Sequence, residues 1–301
     1  MFAAVLTTFC FAASAILARR SSGMLGSQSA NLARQAVALI LLGLWAHCFG
    51  QGVRGPGLLL FVVSGILGFG LGDIALFEAF PRLGAALTVL IIQCLAVPVG
   101  AVTEWLWLGT RITPAQILGA AVILAGVTLS IAPERENSIP RGHRYAGLFF
   151  AMIGAFGQAW GAVVSRQGFL LDRNAGIQMD GPSSAYQRLL GGIICVALVA
   201  WVSSLLRRLR QPGQLPQGRP WQLAMPWIIG NAVAGPVIGV AFYQWGLRES
   251  PTAIVLSIVS TTPLAVMMLS FAFEKTRPTP RALIGSLIAV LGVVALVCGW
   301  G

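Results

Sequence analysis

Two carboxylates, Asp73 and Glu78, sit in the stretch GLGDIALFEAF (70–80), inside an apolar run long enough to cross a bilayer. An ionisable group at the centre of a membrane helix costs about 3 kcal/mol on insertion scales, so each calls for a partner or a task. Counting back from Phe80 at 1.5 Å per residue, Asp73 lies roughly 10 Å from the nearer end of its helix, too deep to reach the interface easily. Gly70, Asp73 and Phe77 share one helical face, with Gly72 beside them, which turns Asp73 toward a packed interior or a cavity. Two readings stay open for it: a structural hydrogen bond to a neighbouring helix, or a site for a proton or cation. Glu78 precedes Arg82 by four residues, the favourable order for a helical ion pair, and this reading ranks ahead of a substrate contact.

Other polar residues in apolar surroundings extend the set. Gln93, Val97, Gly100 and Glu104 follow at helical spacing, so Gln93 and Glu104 share a stripe that would line a vestibule if it faced inward. Glu104 neighbours Trp105 and Trp107, which favours an interfacial anchor over a proton-coupling role. Gln93 is mid-helix and is the better cavity candidate. Gln158, Trp160, Asn231, Tyr243 and Gln244 supply hydrogen-bonding and aromatic surface in the second half, and Trp160, a turn or more inside its helix, is expected to line the pocket. Trp221, Trp227 and Trp300 read as interfacial anchors. Aromatic walls with few fixed charges suit an amphipathic or zwitterionic metabolite. A nucleotide sugar or phosphate would call for a buried Lys or Arg pair, and the single Lys, Lys275, falls in a terminal loop. Pro98 and Pro263 are expected to interrupt two helices at nearly matching positions, and Pro236 falls within Gly235–Gly239; such breaks point to a binding site between repeats.

These residues are carried by a chain of 301 residues, 56% hydrophobic and only 10% charged, which predicts an all-α polytopic membrane protein. The net charge of +11 is spread singly or in small groups between apolar runs, so no nucleic-acid surface is implied. Ten spans are predicted, over 2–18, 30–49, 58–80, 85–107, 115–132, 145–165, 184–206, 222–246, 252–273 and 281–299. The first has its positive charges, Arg19 and Arg20, after the apolar run, which favours a transmembrane helix over a cleaved signal. Five cysteines lie in apolar segments with no metal-type spacing and read as small hydrophobes; no cofactor or metal is expected.

The chain also repeats itself. A shift of 166 residues places Phe77 on Tyr243, Glu78 on Gln244, Arg82 on Arg248 and Thr110-Arg111-x-Thr113-Pro114 on Thr276-Arg277-x-Thr279-Pro280. At another offset Arg34, opening the second helix, matches Arg188, opening the seventh. The halves are 1–132 and 145–299, five helices each, and an odd number inverts the second copy relative to the first.

The carriers of one family resemblance are G-D-x-A-L-F-x-A-F-x-R-L-G-A-A (72–86), L-G-T-R-I-T-P (108–114), G-P-x-I-G-V-A-F-Y (235–243) and F-E-K-x-x-P-T-x-R-A (273–282). On these residues the chain resembles the ten-helix EamA-type transporters of the drug/metabolite transporter superfamily. One departure is Thr110, where the family usually has the Glu that the second half keeps as Glu274. The resemblance implies a multi-pass plasma (inner) membrane carrier working by alternating access, which takes a small-molecule substrate, amino-acid-like or amphipathic, in the direction of export. Asp73 is the leading candidate for coupling to protons. The competing class is an enzyme or translocase acting on a lipid-linked substrate, but His47 and His143 belong to no catalytic motif, so the chain reads as no enzyme. Orientation divides the arguments: loops after the odd-numbered helices hold 14 Lys and Arg against 6 opposite, which puts both termini outside, whereas the resemblance puts both inside. The sequence leaves open whether the protein is a monomer or a homodimer.

Overall fold

The computed structural model describes residues 2–108, 113–131, 141–210, 220–250, 252–275 and 279–298. Eight helices are long and apolar enough to cross a membrane. They are α1 (Phe2–Leu25), α2 (Ser27–Cys48), α3 (Leu58–Leu83), α4 (Ala85–Leu108), α6 (Arg141–Asn174), α7 (Gly181–Arg210), α8 (Trp221–Glu249) and α9 (Thr252–Glu274, in two parts). Two shorter apolar helices, α5 (Pro114–Ile131) and α10 (Pro280–Cys298), complete the bundle among the described residues. Thr110 and Arg111 lie outside the described residues, as do the side chains of Glu104 and Glu274.

The helices run further than the apolar pattern predicts. Between α1 and α2 the one residue out of helix is Gly26, at φ 80°, so the polar segment around Arg19, Arg20, Ser21 and Ser22 stays helical. Ser21 and Ser22 are buried there, and packing has overridden their weak helix preference. Gly84, at φ 79°, makes the same one-residue reversal between α3 and α4.

Two helices are wound differently in the middle. Ile66–Gly72 of α3 and Val233–Gly239 of α8 are π-helical, and the N–H of Asp73 and of Val240 each reach back five residues, to the carbonyls of Gly68 and Gly235. The two windings fall within one residue of equivalent places in the two halves. The third break is in α9, which ends at Val259 and restarts at Thr262, with Pro263 in the first turn where its missing N–H costs nothing. Pro98 corrects an expectation: it lies inside an unbroken α4, so the proline pair does not interrupt matching helices. The matched irregularity is the π pair, and only the second of these contains a proline, Pro236.

Exchanging the halves maps the main packings onto one another. Helix α3 packs on α6 and α7, as α8 packs on α1 and α2; α4 packs on α6 and α9, as α9 packs on α1 and α4; α2 packs on α7 and α5 on α10. Helix association in lipid relies on close backbone approach, because tails are as apolar as side chains. The α3–α7 crossing is the tightest case: a Cβ on Gly65 would stand 1.7 Å from the Arg188 carbonyl oxygen, and one on Gly191 would stand 2.2 Å from that of Val62. Gly65→Ala should therefore leave little monodisperse protein in mild detergent. Gly23→Ala, with nothing within 4 Å, should melt at the wild-type temperature or higher, since Ala exceeds Gly in a helix by roughly 0.5–1 kcal/mol. Similar size-exclusion profiles and melting curves for the two variants would contradict this account of the crossing.

Candidate functional site

The site grows out of the π windings. A π turn widens the helix and displaces the residues that follow it, and Asp73 and Val240 are the first residues after the two windings. Both line a central cavity of about 90 Å³, walled by α1–α4 and α6–α8. A single water needs about 10–15 Å³ by the same measure, so the space suits several waters or a small molecule. The lining is apolar at Phe11 from α1, Leu76, Phe77 and Phe80 from α3, and Val89 and Ile92 from α4, and polar at Ser14, Gln93, Gln158 and Tyr243.

Three fixed charges lie in this lining. Arg34 of α2 donates from Nη2 to Oδ2 of Asp73 in an ion pair, with side-chain exposures of 5% and 16%. The same nitrogen reaches Asn31 Oδ1 at 2.9 Å, and the guanidinium lies 4.9 Å from the Phe77 ring centre. Arg188 of α7 is as deeply buried as Arg34 and stacks on Phe69 at 5.5 Å. Each arginine is the eighth residue of its helix, roughly 10 Å in from the start. The expectation of few fixed charges is thereby corrected, and so is the absence of a buried Lys or Arg pair. Arg34 and Arg188 matched in the repeat, but their position eight residues into apolar helices, rather than at a loop, was the signal that reading them as helix openers missed.

The predicted site residues divide into three groups. Asp73, Gln93, Gln158 and Tyr243 meet at the cavity, where Gln158 Nε2 donates to Gln93 Oε1 at 3.4 Å and the Tyr243 ring stands 6.0 Å from that of Phe11. The buried Tyr243 hydroxyl has no hydrogen-bond partner among the described residues. Asn231 and Gln244 lie one layer behind. Asn231 Oδ1 accepts from the cavity residue Ser14 at 2.7 Å, and Gln244 Oε1 accepts from Ser165 at 2.9 Å, in a chain that continues to Ser64 of α3.

Trp160 and Glu78 stand apart. Trp160 is 38% exposed on the outer face, where its indole N–H donates to Thr103 Oγ1 at 3.1 Å, so the pocket wall expected of it is formed by phenylalanines instead. Glu78 pairs with Arg82 at 2.7 Å, and Arg82 lies over Phe150, so the carboxylate is engaged away from the cavity. Of Glu104 only the backbone, within α4, is described.

The arrangement can bind, orient and screen a small solute between two similar halves. Among the described residues, no group of three or more His, Cys, Asp or Glu side chains is placed to hold a metal.

Comparison with known proteins agrees with this architecture. A solved protein crystal structure resembles the chain in fold, with a TM-score of 0.65 at 18% sequence identity, over 98% of this chain and 95% of its own. No curated protein matches the sequence. The model of the EamA-like transporter family matches twice, over residues 1–132 and 145–298. With a two-fold match that spans nearly its whole length, and with ten helices among the described residues, the chain belongs to the EamA-like transporter family.

Proposed function

We propose that the protein is a secondary carrier that moves a small organic metabolite out across the plasma membrane, exposing the central cavity alternately to either side. The two repeats, 1–132 and 145–299, act as the moving units. The observation that carries this reading is the cavity itself, a polar and partly charged hollow enclosed by helices of both halves within an otherwise apolar bundle. Intramembrane irregular winding is tolerated where it lines such a hollow, and both π turns do so. Within this scheme Gln93 and Gln158 orient the solute by hydrogen bonds, Tyr243 offers its unpartnered hydroxyl, and Asn231 and Gln244 hold the surrounding helices in register.

Coupling to protons is assigned to Asp73. Its carboxylate is held by Arg34 from α2, with the Arg188 guanidinium of α7 and Gln35 of α2 acting on it as well. From α8, Tyr243 faces the same cavity, and Gln93 and Gln158 approach from α4 and α6. Proton arrival at Asp73 would release Arg34, loosening α2 from α3, and proton loss would restore the pair. A ligand or proton shifts such an equilibrium only through this differential contact.

Reconstitution into proteoliposomes with a mixed metabolite panel tests the carrier reading. Specific counterflow of at least one solute is expected, and its absence across the panel would favour the enzyme or translocase class. Gln158→Leu should reduce uptake of that solute by roughly tenfold, the loss of about one hydrogen bond's worth of binding, while Trp160→Phe should stay near wild type. Asp73→Asn should abolish the response to an imposed pH gradient and leave counterflow measurable; an intact pH response in this variant would remove Asp73 from the coupling role.

A further inference from the structure

We infer that the transported solute is a small organic monoanion, a monocarboxylate with an apolar body, whose carboxylate is received by Arg188. The inference rests on the carrier reading above and names its substrate class.

The charges break the symmetry of the two halves. Arg34 and Arg188 are equivalent in sequence and in depth, and Asp73 and Val240 are equivalent as the residues that follow the two π windings. In the first half the arginine has its carboxylate; in the second half neither Val240, which follows the winding, nor Gly239, which the 166-residue shift places on Asp73, carries an acid. Arg188 is 5% exposed and no carboxylate lies within ion-pair distance of it among the described residues; its Nε, like that of Arg34, is buried without a hydrogen-bond partner there. Unpaired buried guanidiniums are costly, and membrane bundles keep them for solute pathways.

Arg188 is also given a berth. A Cβ on Gly68 would come within 2.7 Å of its Nη2, and one on Gly161 within 3.2 Å, so two helices leave out side chains where the guanidinium lies. Its fork lies beside the cavity it lines, and a guanidinium fork matches a carboxylate with two parallel hydrogen bonds.

Charge and size narrow the class. Two guanidiniums and one carboxylate leave the wall with a single surplus positive charge, which one negative charge balances. A polyanion would be undercompensated, and a cation would meet repulsion. A zwitterion would have to draw Asp73 away from Arg34 to seat its ammonium group. The wall of Phe77, Phe80, Val89 and Ile92 then receives an apolar body, and about 90 Å³ admits only a small one.

The test uses the purified full-length protein and a panel of short-chain and phenyl-substituted monocarboxylates, each with the primary amide and the amine of the same skeleton. Thermal shift in detergent should show stabilisation by carboxylates and none by the matched amides or amines. Arg188→Gln should weaken carboxylate binding by about 10- to 100-fold, the loss of a charge-assisted pair, and Arg188→Lys should recover part of it. Without ligand, Arg188→Gln should melt at or above the wild-type temperature, because a buried charge without an ion pair of its own has been removed. Amides that bind as tightly as carboxylates, unchanged carboxylate binding in Arg188→Gln, or no stabilisation by any carboxylate would each overturn the inference. Transport of the same panel in proteoliposomes separates the two levels. Movement of amides or amines without carboxylates sinks the monoanion and keeps the carrier, while movement of nothing sinks both.

Discussion

Two guanidinium groups and one carboxylate line the central cavity of a bundle built largely for hydrocarbon, and the surrounding structure answers the cost of keeping them there. Arg34 is stabilised by Asp73, by Asn31 and by the face of Phe77. Arg188 feels Asp73 at longer range and rests on Phe69 and the bare faces of Gly68 and Gly161, with no ion pair of its own among the described residues. Breaking a buried ion pair costs several kcal/mol because one charge is left uncompensated, and on this scale the Arg34–Asp73 pair is a strong clamp between α2 and α3. Any motion that separates those helices must replace that partner, by a proton, a solute or water.

The symmetry of the frame and the asymmetry of its charges answer different needs. Matched packing in the two halves, down to the α2–α7 and α5–α10 contacts between repeat mates, is the frame that the proposed alternating access calls for. Charges duplicated along with the frame would instead give two saturated ion pairs and a cavity with nothing to offer a solute. Gly239 and Val240, where the first half has Asp73, leave Arg188 without an ion pair of its own. The paired Gln93 and Gln158, which come from α4 and α6, then bridge the halves with neutral groups that tolerate rearrangement.

Much of the frame was legible in the sequence, because bilayer thickness forces long apolar runs and duplication leaves matching Arg, Gly and Thr-Pro positions. Asp73, Gln93, Gln158 and Tyr243 were found by the same logic, as polar groups too deep in apolar helices to reach water. What stayed hidden depended on where helices begin. The sequence pattern starts α2 at residue 30 and so places Arg34 near its mouth, whereas the helix starts at Ser27 and buries Arg34 two turns in. Arg188 was displaced outward by the same error in α7, which starts at Gly181. Trp160 failed for another reason: periodicity locates a residue along a helix but cannot tell the face toward the cavity from the face toward lipid when both are apolar. The π windings carried only a weak mark, the glycines 65, 68, 70 and 72 in α3 and 235 and 239 in α8, which also fits ordinary close packing.

The central claim is that a wet, charge-lined hollow between the halves opens to one side at a time. Its most direct test is the labelling of Gln158→Cys in sealed vesicles by a membrane-impermeant thiol reagent, applied from one face and then the other and read by mass spectrometry of the peptide that contains residue 158. Modification from each face in turn, slowed by a transported solute, is the predicted result. A residue 158 that stays unmodified from both faces, as a cysteine at the fully buried Phe61 should, would mean a solid centre and contradict the account.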